Sequence, residues 1–175
     1  MKITINGGHC PNLDSGAVSP NGLQEANVVK IMMGKTANYL RAVGHEVMEV
    51  QENELYQITD ASNTFGAELF VSIHCNSAGN REAKGTETFC YEIGGEGEKL
   101  ACAIQSQIVT SLETVNRGIK TDHFYVLRNT NCPAVLVETA FISNSEDEAL
   151  LSNESTIDQF AAAIARGITN YIGGM

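Results

Sequence analysis

The sequence predicts an α/β fold: a single domain built on a twisted, mostly parallel sheet of about six strands, with helices on both faces. Three observations carry this. Strand-like and helix-like stretches alternate along all 175 residues, with no long linker, internal repeat or low-complexity tract. The run Leu69 to His74 is nearly all apolar, as the doubly covered centre of a parallel sheet requires. The length suits one core, enough to bury roughly 70% of the surface exposed by the unfolded chain.

Taken in order, Ile3 to Asn6 is a short β-branched run, followed by a loop from Gly7 to Asn21 rich in Gly, Pro, Asn, Asp and Ser. A loop this long inside a compact domain is usually functional. A helix then follows, with Asn21 as N-cap, Gln24 three residues later and Gly44 as its stop. Its apolar stripe is Val29, Met33, Thr36, Leu40 and Val43. Glu46 to Val50 reads as a strand, Leu55 to Phe65 as a helix and Leu69 to His74 as the central strand. Thr86 to Tyr91 alternates as a strand, and Gly97 to Thr114 repeats at helical spacing through Leu100, Ile104, Ile108 and Leu112. Phe124 to Leu127 and Ala134 to Val137 read as short strands. A helix from about Glu154 to Tyr171 closes the chain on a core face of Ile157, Phe160, Ile164, Ile168 and Tyr171.

Composition narrows the function. Hydrophobic residues are 43% and charged residues 18%, ordinary for a folded protein. A formal charge of -10 repels polyanions, so a nucleic-acid partner is not expected, and no phosphate-binding glycine motif is present. The five cysteines include no C-x-x-C pair, which points to free thiols and neither a disulfide framework nor a four-cysteine zinc site. No segment has the roughly 20 apolar residues of a membrane span and the N-terminus has no secretory h-region, so neither membrane insertion nor a signal peptide is expected.

Ligands of open α/β sheets bind beyond the carboxyl ends of the strands. His9 follows the first strand, His74 ends the third and Glu138 ends the last. Glu25, four residues before Val29, extends the first helix's buried stripe and should point inward. An inward carboxylate is costly without a cation or donors, and the helix dipole offsets only about 1 kcal/mol. Two histidines and a carboxylate are a recurring ligand set for catalytic zinc, which lowers the pKa of water to about 7 and polarises a carbonyl. His9, Glu25 and His74 fit that set, with Glu138 as proton carrier to a leaving nitrogen. Each residue also has a plainer reading: hydrogen-bonded structural histidines, a helix-terminal charge for Glu25, half of an ion pair for Glu138.

At these residues the sequence resembles the zinc-dependent N-acetylmuramoyl-L-alanine amidases of bacterial cell-wall turnover, sporulation and phage endolysins. The resemblance runs in order through Gly8-His9, Glu25, Val71-Ser72-Ile73-His74-Cys75-Asn76, Arg117-Gly118-Ile119-Lys120, Val126-Leu127 and Pro133 to Asn144. It implies that residues 1–175 are one catalytic domain, that His9, Glu25 and His74 hold one zinc ion, and that Glu138 is the catalytic glutamate. It further implies hydrolysis of the amide between N-acetylmuramic acid and L-alanine in peptidoglycan, hence an enzyme that works on the cell wall, as endolysins and autolysins do.

There are departures. The family's Asp-Pro-Gly-His-Gly-Gly is Asn6-Gly7-Gly8-His9-Cys10-Pro11 here, and an arginine frequent before the His74 strand is replaced by Ile58. Some relatives carry a helix after the fourth strand that blocks the zinc until a partner removes it. Only Glu92 to Glu96 stands there, so no activator protein is expected. Alternatives are a zinc peptidase cutting within the stem peptide or cross-bridge, and a non-catalytic wall-binding module. Cys10 and Cys75 are read as neighbours of the site and not ligands, His45 as an edge residue, His123 as outside the site, and Glu146-Asp147-Glu148 as a solvated helix cap.

Overall fold

The computed structural model describes residues 1–174. Its strands are β1 (Lys2–Gly7), β2 (Glu46–Val50), β3 (Leu69–Asn76), β4 (Thr86–Cys90), β5 (Asn116–Thr121) and β6 (Ala134–Phe141). The helices are α1 (Glu25–Ala42), α2 (Leu55–Phe65), α3 (Glu96–Leu112), α4 (Tyr125–Asn129), α5 (Ser145–Leu151) and α6 (Glu154–Gly173). The six strands form one sheet in the order β2-β1-β3-β6-β4-β5, parallel throughout except where β4 runs antiparallel to β6.

Period-two alternation sorts the side chains of each central strand. Val71, Ile73 and Cys75 of β3 and Val135 and Val137 of β6 enter the larger core, against α1, α3 and α6. Phe70 and Leu136 turn to the other face, where Val50, Ile58, Val126 and Leu127 build a smaller core under α2 and α4. His74 and Glu138 belong to this second face by the same alternation and are paired in register across β3 and β6. Helices of 11 and 5 residues cover that face only in part. A pocket of about 400 Å³ remains there, lined by His9, His74, Glu138, Leu136, Phe124 and Ile58 among others.

Three expectations are corrected. Phe124 to Leu127 is no strand: Leu127 and Arg128 N–H both donate to the Phe124 carbonyl, opening the short helix α4. Four apolar residues are too few for periodicity to separate strand from helix. Residues 116–121 do form a strand, at the sheet edge, where burial is too slight to leave an alternating pattern. Finally, α1 starts at Glu25 with Gln24 at its N-cap, not Asn21. The segment before it is occupied by a tight turn: Ser19 N–H donates to Leu23 O, and Gly22 takes φ +87°. At the other end Gly44 takes φ +92° just past the helix, as a left-handed stop should.

Candidate metal and catalytic site

His9, Glu25 and His74 are brought together as the sequence predicts, each by a different element. One ligand atom from each lies within 4.8 Å of the others, a spacing that suits a single metal ion. The turn after β1 delivers His9. Gly8 N–H donates to Ile73 O (2.9 Å), keeping the chain alongside β3, and His9 then adopts φ +58°. A non-glycine residue in the left-handed region is uncommon and carries a cost of order 1 kcal/mol, tolerated where the surroundings dictate the position. Glycine is required on either side. A Cβ on Gly8 would lie 2.2 Å from the His74 ring, and one on Gly16, at φ +62°, would lie 2.5 Å from the His9 ring and 2.6 Å from Glu25.

Glu25, only 3% exposed, is the first residue of α1. Its Oε1 accepts from Cys75 N–H (3.0 Å) and lies 2.9 Å from His74 Nδ1; its Oε2 accepts from Ala17 N–H (2.9 Å) and lies 3.2 Å from His9 Nε2. Burial alone would raise its carboxyl, yet the bonds from His74 and His9 hold it well below the ordinary carboxylate range. Reciprocally, the Glu25 and Asp14 carboxylates lift His9 to about 9 against the opposing effect of burial. A proton on His9 thus supplies the positive charge that this buried carboxylate demands. A metal cation would satisfy the same demand, and two imidazoles with a carboxylate are a donor set suited to zinc with a coordination position left for water. The residues present fit the ion.

Glu138 stands one strand away from His74. Its Oε2 is buried with no hydrogen-bond partner among the described residues. It is therefore not half of an ion pair. Burial pushes its carboxyl up to about 7, where acid and base forms coexist at neutral pH, as general acid-base work requires.

Two residues of consequence were not singled out in the sequence. Asp14 Oδ2 lies 2.6 Å from His9 Nδ1, and its Oδ1 accepts from Gly16 N–H (2.9 Å). With the proton of neutral His9 on Nδ1, Nε2 is directed toward Glu25 and His74, the arrangement in which a carboxylate orients a metal-binding imidazole. The signal was an aspartate five residues past His9 in the same glycine-containing loop, but only the hairpin between Cys10 and Asp14 brings it back. The second is Glu87, a buried carboxylate on β4 opposite Glu138.

The remaining candidates stay outside the cluster. Cys75 alternates away from His74 into the larger core and is not in the ligand cluster, and burial raises its thiol well above the usual range. Cys10 is not in the ligand cluster. His45 follows the α1 stop, and His123 stacks on Tyr91 with ring centroids 4.7 Å apart. Ile58 is buried in the smaller core and lines the pocket. The acidic triplet does open a helix, α5, and Glu146 is solvated as expected, but Asp147 and Glu148 are buried: Asp147 Oδ2 accepts from Gly85 and Phe141 N–H, and Glu148 accepts from Ser19 and Asn21.

A family model described as N-acetylmuramoyl-L-alanine amidase matches residues 3–170. Among individual proteins, the chain is 38% identical to the Bacillus subtilis protein YqiI over 97% of this chain and 84% of that one. It is 35% identical to the N-acetylmuramoyl-L-alanine amidase LytC of Bacillus subtilis over 97% of this chain, but spans only 35% of LytC. The structure superimposes on that of N-acetylmuramoyl-L-alanine amidase AmiC2 of Nostoc punctiforme with a TM-score of 0.93 at 32% identity, over 99% of this chain and 97% of that one.

Proposed function

This chain belongs to the N-acetylmuramoyl-L-alanine amidase family, and on that premise we propose that it hydrolyses the amide between N-acetylmuramic acid and L-alanine in peptidoglycan. His9, Glu25 and His74 would hold one zinc ion, and Glu138 would be the catalytic residue. The observation that carries this is the juxtaposition of a three-residue ligand cluster with a half-buried carboxylate on the neighbouring strand whose inner oxygen, Oε2, has no hydrogen-bond partner among the described residues. Zinc, when bound, supplies the Lewis acidity that activates a water at neutral pH and polarises the scissile carbonyl.

The chain's own residues do the rest. Asp14 fixes the His9 ring so that Nε2 faces the cluster. The apolar walls at Phe124, Leu136 and Ile58 help to exclude bulk water from the pocket, which strengthens every electrostatic interaction inside it. Glu138 takes a proton from the attacking water and returns it to the departing nitrogen. Its pKa near 7 allows both transfers at neutral pH. Only residues 91–95 separate β4 from α3, too few for a blocking helix, so the domain is proposed to act without an activator protein.

The test combines elemental analysis of bound metal with detection of new L-alanine amino termini on purified peptidoglycan. Near-stoichiometric zinc, and release that stops on chelation and in His74→Ala, is the expected result. New amino groups on other residues would instead indicate a peptidase, and wall binding without release would indicate a binding module. Strong activation of the purified domain by a partner protein would contradict an uninhibited site.

A further inference from the structure

Across the sheet from Glu138 stands a buried carboxylate that this chemistry does not use. Glu87 is 4% exposed and lies directly opposite Glu138 in the antiparallel β4–β6 pair. Like charges facing one another across strands are unfavourable unless one is compensated. Glu87 is compensated three times: its Oε1 accepts from Asn76 Nδ2 (2.8 Å), and its Oε2 accepts from Arg117 Nε (2.7 Å) and Lys120 Nζ (2.5 Å).

One carboxylate thus anchors two cations, so the group retains positive charge. Arg117 uses Nε alone, and its two Nη atoms donate to no protein acceptor among the described residues. The guanidinium is also fixed over the Phe141 ring at 4.7 Å, and Lys120 Nζ stands 5.8 Å from the Phe89 ring centre. Both side chains still reach solvent, at 32% and 40% exposure. In a chain of formal charge -10 with eleven basic residues, two of them are held on one buried acid beside the catalytic glutamate. Fold stability does not call for this, since a buried ionic cluster is often no better than a packed apolar one.

The spacing points to a ligand. His74, Glu138 and Glu87 form a row across β3, β6 and β4, and neighbouring strands are about 4.8 Å apart. The two cations therefore stand roughly one strand spacing beyond Glu138, on the side away from the ligand cluster. An extended peptide advances about 3.5 Å per residue. A substrate whose scissile nitrogen sits at Glu138 brings its next residue or two to the outward edge of Arg117. Resting on the amidase reading above, we propose that Arg117 and Lys120, held by Glu87, form a subsite for a free carboxylate on the residue that follows L-alanine in the leaving peptide. A planar guanidinium with its two Nη groups open suits bidentate recognition of a carboxylate.

The test uses the zinc-loaded chain and two synthetic N-acetylmuramoyl-L-alanyl peptides that differ only in whether the second residue carries a carboxylate or a carboxamide. The wild type should show a KM about tenfold lower for the carboxylate peptide with similar kcat, the size expected of one charge-assisted contact. Arg117→Gln should remove the difference by raising KM for the carboxylate peptide alone, and Lys120→Met should reduce it. Equal KM values in the wild type would overturn the subsite while leaving the amidase reading intact. An Arg117→Gln effect of equal size on both peptides would likewise reduce Arg117 to a structural role. Hydrolysis of neither peptide would overturn both readings. The wild-type comparison decides even if the Arg117 variant does not fold.

Discussion

At the scale of single residues, Asp14 and Glu138 make opposite kinds of prediction. Among the described residues, the Asp14 carboxylate hydrogen-bonds only to the proposed ligand His9 and to its own loop. Asp14→Ala frees the imidazole to rotate, so zinc affinity measured against a competing chelator should fall by roughly 10- to 100-fold. An unchanged affinity would show that the loop backbone alone orients the ring. Glu138→Gln keeps the shape and removes the proton carrier. Amidase turnover should drop by at least about 100-fold with bound zinc unchanged. The variant also bears on stability. The folded pKa of Glu138, about 7, lies above the ordinary value of 4.5. The folded state therefore holds a proton that the unfolded state releases, and the metal-free wild type should lose stability between those values as pH rises. Glu138→Gln should flatten that part of the profile, and a variant that follows the wild-type curve would contradict the burial argument.

At the scale of elements, the site depends on how turns and caps bring strand ends together. Gly8→Ala places a methyl group 2.2 Å from the His74 ring, so the ring or the β1 turn must move. Loss of most zinc binding with the fold retained by circular dichroism is the expected outcome; full binding would mean the turn yields without cost. The short helix α5 is tied to the sheet by Asp147, whose Oδ2 satisfies the backbone N–H groups of Gly85 and Phe141. Asp147→Ala leaves two buried donors unpaired at about 1–3 kcal/mol each, which should lower Tm by several degrees or more. Asp147, an acidic residue in a helix's first turn that is nevertheless buried on two backbone donors, shows what a sequence conveys and what it does not. Strand alternation and helix stripes were legible because burial imposes a period, and so His9, Glu25, His74 and Glu138 could be placed at one sheet edge. Glu25 was readable because it continued the stripe of α1. Asp14, Glu87 and Asp147 were not, because each acquires its role from a partner brought in by a hairpin or a neighbouring strand, which leaves no periodic trace. Residues 116–121 were missed for a related reason: an edge strand buries too little to show alternation.

At the scale of the whole molecule, the ligand cluster couples folding to metal and to pH. Without metal, the proton on His9 compensates buried Glu25, and the folded state lifts His9 from 6.5 to about 9. The sign follows from linkage. A raised histidine pKa means that the folded state binds the proton more tightly, so this contribution is fully present below pH 6.5 and is lost as pH rises through 9. Melting of the metal-free chain should therefore decline across that interval, and His9→Gln should remove most of the slope. Zinc requires His9 neutral at its coordinating nitrogen and so competes with the proton; binding near pH 7.5 should release about one proton per ion. Calorimetric titrations in buffers of different ionisation enthalpy measure that number directly. Because the ion binds the assembled cluster and not the separated residues of the unfolded chain, zinc at 100 times its Kd should add about 2.7 kcal/mol of stability, or about 5–10 °C in Tm. Above pH 9 the protonated alternative disappears, so apparent zinc affinity should stop rising with pH once His9 has titrated. A metal-free chain whose melting is flat across this interval, or zinc binding that releases no proton, would mean that His9 and Glu25 are paired differently in solution and that the cluster is not the ligand set.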